Sequence, residues 1–342
     1  MKMAISRAAI ICRRWNKRGT MDFSKTKFYQ PLLSSDNHDH GDPFPVRDGD
    51  RYLIFTTAQD QSGAFATYEA SLDFSEVRYL GMALKRDADA AHWAAWVGFS
   101  EKVGWAMLYS RSLGSAGDAA HIGHRIYLAL ADQPTGPYRT VRCVTPGGDD
   151  NQSFFIDPDV QAVDGGLMFA CATDYVDDEP FGTGIAWAPI SDDLSQLLEP
   201  LQPILRATTD YHIYEAQRVM PWKHISGIDW GQGQTAKWHT VEAPVILTPD
   251  VVLYSGGNFS HQYFVGAAVR QPDGSWRDSV QDGYFVVSPG QIPGFTSPGH
   301  CAKVPDQDML IMAGLLDGQW PRKMFLAPLE WNEQGLPYCP MP

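Results

Sequence analysis

The chain has few of the residues that several common protein classes depend on. Of its 342 residues only five are cysteine (Cys12, Cys143, Cys171, Cys301 and Cys339), far apart and with no CxxC pair. A zinc site, a redox motif and a full disulfide framework therefore lack support. Basic charge is scarce as well: 27 Lys and Arg stand against 40 Asp and Glu, a formal net charge of −13. Nucleic acid and anionic membrane surfaces reward clustered Lys and Arg, so neither is expected as a partner. No apolar run approaches the roughly 18 residues that a membrane-spanning helix needs. Helical periodicity is almost missing, and only the segment 191–198 (SDDLSQLL) reads as a short helix.

What is present is turn-formers and aromatics. Gly 31 and Pro 24 together make about one residue in six, and 44% of the chain is hydrophobic, with Phe 16, Trp 11 and Tyr 14. That composition supplies a core and argues against disorder. Residues 1–20 differ from the rest: they carry Arg7, Arg13, Arg14, Lys17 and Arg18, and Met21 opens a more ordinary sequence. The apolar stretch from Ala8 to Cys12 is too short for a signal-peptide core and no cleavage-type site follows. Residues 1–20 read as a basic extension, disordered or a misplaced start, and a cytoplasmic location is expected. Residues 21–342 are left as the folded unit.

Short β-branched and aromatic runs alternate with Gly, Pro and Asp turns, an all-β pattern, and they repeat. One strand type recurs as RYLIFTTA from Arg51, GWAMLYSR from Gly104, GLMFACAT from Gly166, VVLYSGG from Val251 and MLIMAG from Met309. A second follows each, as ATYEASL from Ala66, RIYLALAD from Arg125, GIAWAPIS from Gly184, YFVGAAVR from Tyr263 and RKMFLAPLEW from Arg322. The starts of the second type are spaced by 59, 59, 79 and 59 residues. The long interval holds a polar, Trp-rich stretch between Thr208 and Trp238. Five four-stranded units of this size are what a five-bladed β-propeller requires, in a single domain.

A chemically capable residue precedes the first recurring strand of each unit. Asp42, Asp157, Glu242 and His300 each lie nine residues before it, and Trp93 eleven before it. Equivalent positions on innermost strands face one axis, so three carboxylates, an indole and an imidazole should converge at one mouth of the tunnel. Asp159 shares the strand parity of Asp157 and competes with it, although Asp157-Pro158 parallels Asp42-Pro43. Glu179 and Glu215 are rivals of Glu242, but only Glu242 directly precedes an apolar strand at the blade offset. His38-Asp39-His40 invites a metal reading, and H-x-H pairs on loops are more often solvated. Cys301 adjoins His300, but neighbours on a strand point to opposite faces, which argues against a thiol nucleophile.

These motifs resemble glycoside hydrolase family 43, the five-bladed propeller hydrolases of arabinose- and xylose-containing glycans. The resemblance runs from about Asp42 to Pro337 and rests on GDPFPVRDGDRYLIF, IDPDVQAVDGGLMF, TVEAPVILTPDVVLYSGG, SPGHCAKV and WPRKMFLAPLEW in that order. It implies Asp42 as general base, Glu242 as general acid, and Asp157 as the carboxylate that tunes and orients the acid. It further implies Trp93 as a wall of the sugar subsite, Arg322 as a contact to sugar hydroxyls, and His300 as a substrate contact. In arabinanase-like members that histidine helps hold a central calcium; no cofactor is otherwise required. Arg322 has an alternative reading as the partner of an acidic neighbour between blades. Ala95, Ala243 and Ala313-Gly314 depart from the family pattern, which leaves the sugar open.

The resulting expectation is an inverting glycosidase acting on a plant-type oligo- or polysaccharide, of α-L-arabinofuranosidase or arabinanase type. A chain ending just past the last blade favours arabinose-releasing members, with Trp222, Trp230 and Trp238 as a lid over the mouth. The alternatives are a β-xylosidase of the same family or a propeller that binds glycan without cleaving it. A retaining fructan-type hydrolase ranks lower, for lack of the WMNDPNG, RDP and EC segments.

Overall fold

A computed structural model describes residues 26–34, 37–60, 62–87, 89–112, 123–146, 154–219 and 233–342. The basic leader at residues 1–20, Cys12, Trp222 and Trp230 lie outside the described residues. The architecture is a five-bladed β-propeller. Blade I is β1 (Phe44–Asp48), β2 (Arg51–Gln59), β3 (Ala64–Ser71) and β4 (Val77–Leu84), and blade II is β5 (His92–Ser100), β6 (Gly104–Arg111), β7 (Arg125–Ala131) and β8 (Arg139–Cys143). Both are antiparallel meanders.

Blade III is β9 (Phe155–Val163), β10 (Gly166–Tyr175), β11 (Gly182–Ile190) and β12 (Gln202–Leu205). The long interval builds a hairpin of β13 (Ile213–Val219) and β14 (Thr235–His239), and β14 joins the same sheet beside β11. Blade IV is β15 (Val241–Thr248), β16 (Val251–Asn258), β17 (Gln262–Arg270) and β18 (Trp276–Asp278); blade V is β19 (Phe295–Lys303), β20 (Met309–Leu316) and β21 (Gln319–Pro328). The first recurring sequence is thus the second strand of each blade, and the second recurring sequence the third.

The segment before blade I closes the ring against blade V. Tyr29 N–H donates to Leu326 O at 2.9 Å, Leu32 N–H to Met324 O at 3.0 Å, and His40 N–H to Arg322 O at 3.1 Å. Apolar side chains collect between blades rather than in one centre. The five large clusters each join neighbouring blades, for example Leu53, Phe55, Val97, Met107 and Tyr109 between blades I and II. Another joins Ile54, Tyr68, Val304, Met309 and Leu326 between blades I and V. Each blade therefore depends on both neighbours, and closure is a condition of stability.

Two expectations change. The segment 191–198 is a turn, not a helix. Asp193 Oδ1 accepts bonds from the Ser191 and Ser195 hydroxyls and from Ser195 N–H, and Ser191 N–H bonds Gln196 O at 3.0 Å. Short polar side chains here compete for the backbone and defeat the helix. Trp238 is buried at 8% exposure, with the Arg218 guanidinium 4.6 Å from its ring centroid, so it anchors the hairpin instead of serving as a lid.

Between blades III and IV sits a buried polar knot. Asp278 accepts from Tyr254 OH (2.5 Å), from Val280 N–H (3.0 Å) and from the Thr208 hydroxyl, and His212 Nε2 lies 3.0 Å from the same tyrosine oxygen. Asp278→Ala would strand two buried donors, Tyr254 OH and Val280 N–H, and release the Thr208 hydroxyl at the surface. Urea unfolding of the full chain should show a loss of about 3 kcal/mol, against about 1 kcal/mol or less for Tyr254→Phe, which removes a single donor.

Candidate active site

The inner strands β5, β9 and β15 each carry a register shift near their start, at Trp93–Ala95, opposite Ala170–Ala172 and at Glu242–Val245, and β19 carries two, at Thr296–Gly299 and Gly299–Ala302. At these points, and at Asp42 just before β1, the backbone is left-handed: Asp42 (φ 54°), Ala94 (43°), Asp157 (56°), Ala243 (52°) and His300 (45°), with Ser297 (55°) a second such residue on β19. Such a conformation costs on the order of 1–3 kcal/mol for a residue with a Cβ and gathers at functional sites. The pseudo-fivefold positions are therefore Asp42, Ala94, Asp157, Ala243 and His300. Trp93 and Glu242 precede theirs by one residue, a correction to the spacing argument, which counted offsets without the bulges.

Hydrogen bonds from these residues link blade to blade. Ala94 N–H donates to Thr57 Oγ1 at 2.7 Å, Asp157 N–H to Ser110 Oγ at 3.0 Å and His300 N–H to Ser255 Oγ at 2.8 Å. The corresponding residue on β10 is Ala172, which has no hydroxyl. There Ala243 N–H turns to Asp157 Oδ2, at 3.0 Å. The carboxylate of blade III thereby holds the backbone next to Glu242.

Asp42 lies in a cationic bracket. Arg322 Nη1 donates to its Oδ1 at 2.9 Å, and His300 Nδ1 is 3.0 Å from the same oxygen. Burial would raise its pKa, but the charge of Arg322, then His300, and hydrogen bonds from Thr57 and Arg322 outweigh it, holding the carboxyl below the ordinary range. His300 goes the other way: burial lowers its pKa and favours a neutral ring. Arg322 is locked by Asp39, to which Nε (3.1 Å), Nη2 (2.7 Å) and its own backbone N–H (3.0 Å) donate. A Cβ on Gly41 would fall 1.6 Å from Arg322 Nη2, so glycine is what admits the guanidinium. Both readings of Arg322 meet here, since its partners are acidic side chains of the adjoining segment and one of them is Asp42.

Glu242 is the opposite case. Burial first, and then the charge of Asp42, push its pKa up to about 7, against the lowering effects of Tyr263 and Arg322. The sequence argument assigned this rise to Asp157; burial is the larger cause. Asp157 is itself raised well above the carboxylate range, by burial and by the charges of Glu242 and Asp42. Tyr263 OH donates to Glu242 Oε1. A Cβ on Gly299 would lie 2.2 Å from the Tyr263 ring, so this glycine opens the place for the phenol.

The rivals fall elsewhere. Asp159 Oδ2 accepts from Ile246 N–H at 2.8 Å and serves the backbone of blade IV. Glu179 and Glu215 are exposed. Cys301 is buried in the cluster between blades IV and V, with its thiol pushed up to about 12. Trp93 stacks on His124 at 4.0 Å, with Phe154 edge-on beyond. Calcium takes six to eight oxygen ligands, whereas His300 presents Nδ1 to a carboxylate already bonded by a guanidinium. No group of three or more His, Cys, Asp or Glu side chains among the described residues could hold a metal. These side chains do not fit the ion.

Asp39, Thr57 and Tyr263 were missed by the sequence reading. Asp39 lay in the H-D-H cluster considered for metal, and the recurring small hydroxyls at Thr57, Ser110 and Ser255 were a signal in the repeat. Nothing local marks Tyr263.

A family model described as glycosyl hydrolases family 43 matches residues 29–337. A comparison with curated protein sequences finds no match. Among solved structures, a thermostable family-43 glycoside hydrolase is similar with a TM-score of 0.67 at 20% identity, over 88% of this chain and 93% of that one. An α-L-arabinofuranosidase from Lactobacillus brevis is similar with a TM-score of 0.67 at 16% identity, over 91% and 95%. A xylan β-1,4-xylosidase from Bacillus halodurans has a TM-score of 0.66 at 18% identity, over 92% of this chain and 56% of its own.

Two outcomes follow from the electrostatics. The Tyr263 hydrogen bond lowers the pKa of Glu242, so Tyr263→Phe should raise it and move the alkaline limb of kcat/KM above its wild-type position; an unmoved limb rejects that contact. Glu242 holds its proton more tightly folded than unfolded, so its contribution favours the fold below the unfolded value and is lost as pH rises through about 7. Glu242→Gln should therefore be more stable than wild type at pH 8, by about 1–3 kcal/mol in denaturant melts, with the difference shrinking towards pH 4.

Proposed function

We propose that this chain, which belongs to glycosyl hydrolases family 43 and is a glycoside hydrolase, cleaves arabinose- or xylose-containing glycans with inversion at the anomeric carbon. The observation that carries the reading is the pair of opposed carboxyls. Asp42 is held ionised by Arg322, His300 and Thr57, while Glu242 in blade IV, within the field of Asp42, keeps its proton up to about 7. A base and an acid with pKa values driven apart around one funnel are what acid–base cleavage of a glycosidic bond requires, and inversion adds a water between the base and the sugar.

The reaction then proceeds in one step. Asp42 takes a proton from a water molecule whose oxygen bonds the anomeric carbon from the face opposite the leaving group. The bond to the glycosidic oxygen breaks, and Glu242 gives that oxygen its proton. Water entering and leaving the mouth returns the proton from Asp42 to Glu242. Asp157 acts through the backbone: its bond from Ala243 N–H fixes the strand that presents the acid. Arg322 uses Nε, Nη1 and Nη2 on Asp39 and Asp42, so its first duty is to the base and any contact with sugar hydroxyls falls to its remaining N–H groups.

The sugar we assign is α-L-arabinofuranose, in an arabinofuranosidase or arabinanase-like activity, supported by the likeness to the Lactobacillus brevis enzyme over nearly the whole of both chains. The likeness to the xylosidase over 92% of this chain favours β-xylosides as the second reading. Nitrophenyl α-L-arabinofuranoside and β-D-xyloside, with the matching oligosaccharides, separate the two. Asp42→Ala and Glu242→Ala should each lower kcat/KM on the cleaved oligosaccharide by about 10³-fold or more; activity surviving both rejects the site. NMR of the first-formed anomer should show the configuration opposite to the substrate's, and retention would remove the base role from Asp42.

A further inference from the structure

The rim of the mouth carries a feature that neither acid nor base uses. Three turns on the face of the propeller that holds the carboxyls bring three aromatic side chains together: Tyr214 at the start of the β13–β14 hairpin, Phe259 in the β16–β17 turn and Trp320 in the strand after the β20–β21 turn. Tyr214 and Phe259 have ring centroids 5.9 Å apart, and Phe259 meets Trp320 edge-to-face at 6.1 Å. Trp320 is 53% exposed, a large apolar area to leave in water beside an active site. Its other neighbour is Arg322, whose guanidinium carbon is 5.4 Å from the ring centroid.

The arc is braced rather than incidental. Asn258 Nδ2 donates to Tyr214 O at 2.8 Å, which ties the hairpin to the β16–β17 turn, and Asn258 Oδ1 accepts from Ser260 N–H at 2.9 Å across Phe259. Its ends also have addresses. Tyr214 lies within the field of Glu242, which raises the phenol's pKa after burial. Trp320 stands over the arginine that holds Asp42. A second aromatic wall, Trp93 stacked on His124, occupies the sector of blades II and III. The two walls belong to different sectors of the ring, and the proton donor sits in blade IV, the sector of the arc.

We propose that Tyr214, Phe259 and Trp320 form the platform for the leaving-group sugar, packing the C–H face of the ring that departs with the proton from Glu242. The proposal rests on the hydrolase reading above and deepens it. A sugar ring offers hydroxyls at its edge and an apolar face of C–H groups, and flat aromatic side chains bury that face without needing hydrogen bonds. A site with this platform favours substrates whose leaving group is itself a sugar over those whose leaving group is small.

The test is the ratio of kcat/KM for a disaccharide to that for the matching methyl pentoside, using α-1,5-arabinobiose and β-1,4-xylobiose. In Trp320→Ala the ratio should fall at least tenfold, in Phe259→Ala several-fold, and Trp320→Phe should recover most of it. Parallel losses on both substrates, or an unchanged ratio, overturn the platform. A wild type that cleaves none of these pentosides rejects the pentosidase reading instead. Calorimetric titration with the same disaccharides then decides the arc: affinity at least tenfold weaker in Trp320→Ala upholds it, and equal affinity, or no binding to wild type, overturns it.

Discussion

The guanidinium of Arg322 is the contact on which both ring and site depend. It lies on β21 of the last blade and is gripped by Asp39 and Asp42, which belong to the segment entering the first. The backbone repeats the link, with His40 N–H on Arg322 O and Arg322 N–H on Asp39 Oδ1. The seam between blades V and I is therefore closed by the same group that keeps the proposed base ionised. Burying one cation with two carboxylates carries a desolvation cost, and hydrophobic replacements of such clusters are often neutral or better for stability. Its presence is explained by the charge that Asp42 must keep.

The rest of the axis follows a similar economy. Left-handed backbone recurs at or just before the inner strand of every blade, and at three junctions a small hydroxyl on the neighbouring blade takes up the amide of that residue. Blade III breaks the pattern where Ala172 stands, and Asp157 supplies the acceptor for Ala243. A duty that hydroxyls perform at three junctions passes at a fourth to a carboxylate beside Glu242. Asp157 bears a double cost, being buried and facing two other carboxylates, and its hydrogen bond from Ala243 is what partly offsets it.

Much of this was legible in the repeat. The spacing of Ala66, Arg125, Gly184, Tyr263 and Arg322 reports blade size directly, because each blade must bury itself against the next with the same set of strands. Asp42, Asp157 and His300 fell at equivalent offsets and all three have a left-handed backbone. Glu242 shares that offset of nine yet precedes the left-handed Ala243 by one residue, and Trp93 lies eleven before its strand, since a register shift is invisible in a count of residues. The segment 191–198 misled because local polar side chains decide its turn against an apolar pattern. Asp39 and Tyr263 act on residues 283 and 21 positions away, contacts that only closure of the ring and of blade IV create.

The central claim is that Arg322 sets the ionisation of Asp42. Its most direct measurement is the acidic limb of the kcat/KM pH profile on the cleaved oligosaccharide in Arg322→Gln. Loss of the cation should raise the acidic limb by about one pH unit or more, and the alkaline limb should move upward as well, because Arg322 also lowers the pKa of Glu242. An acidic limb at the wild-type position in a folded, active variant would contradict the account.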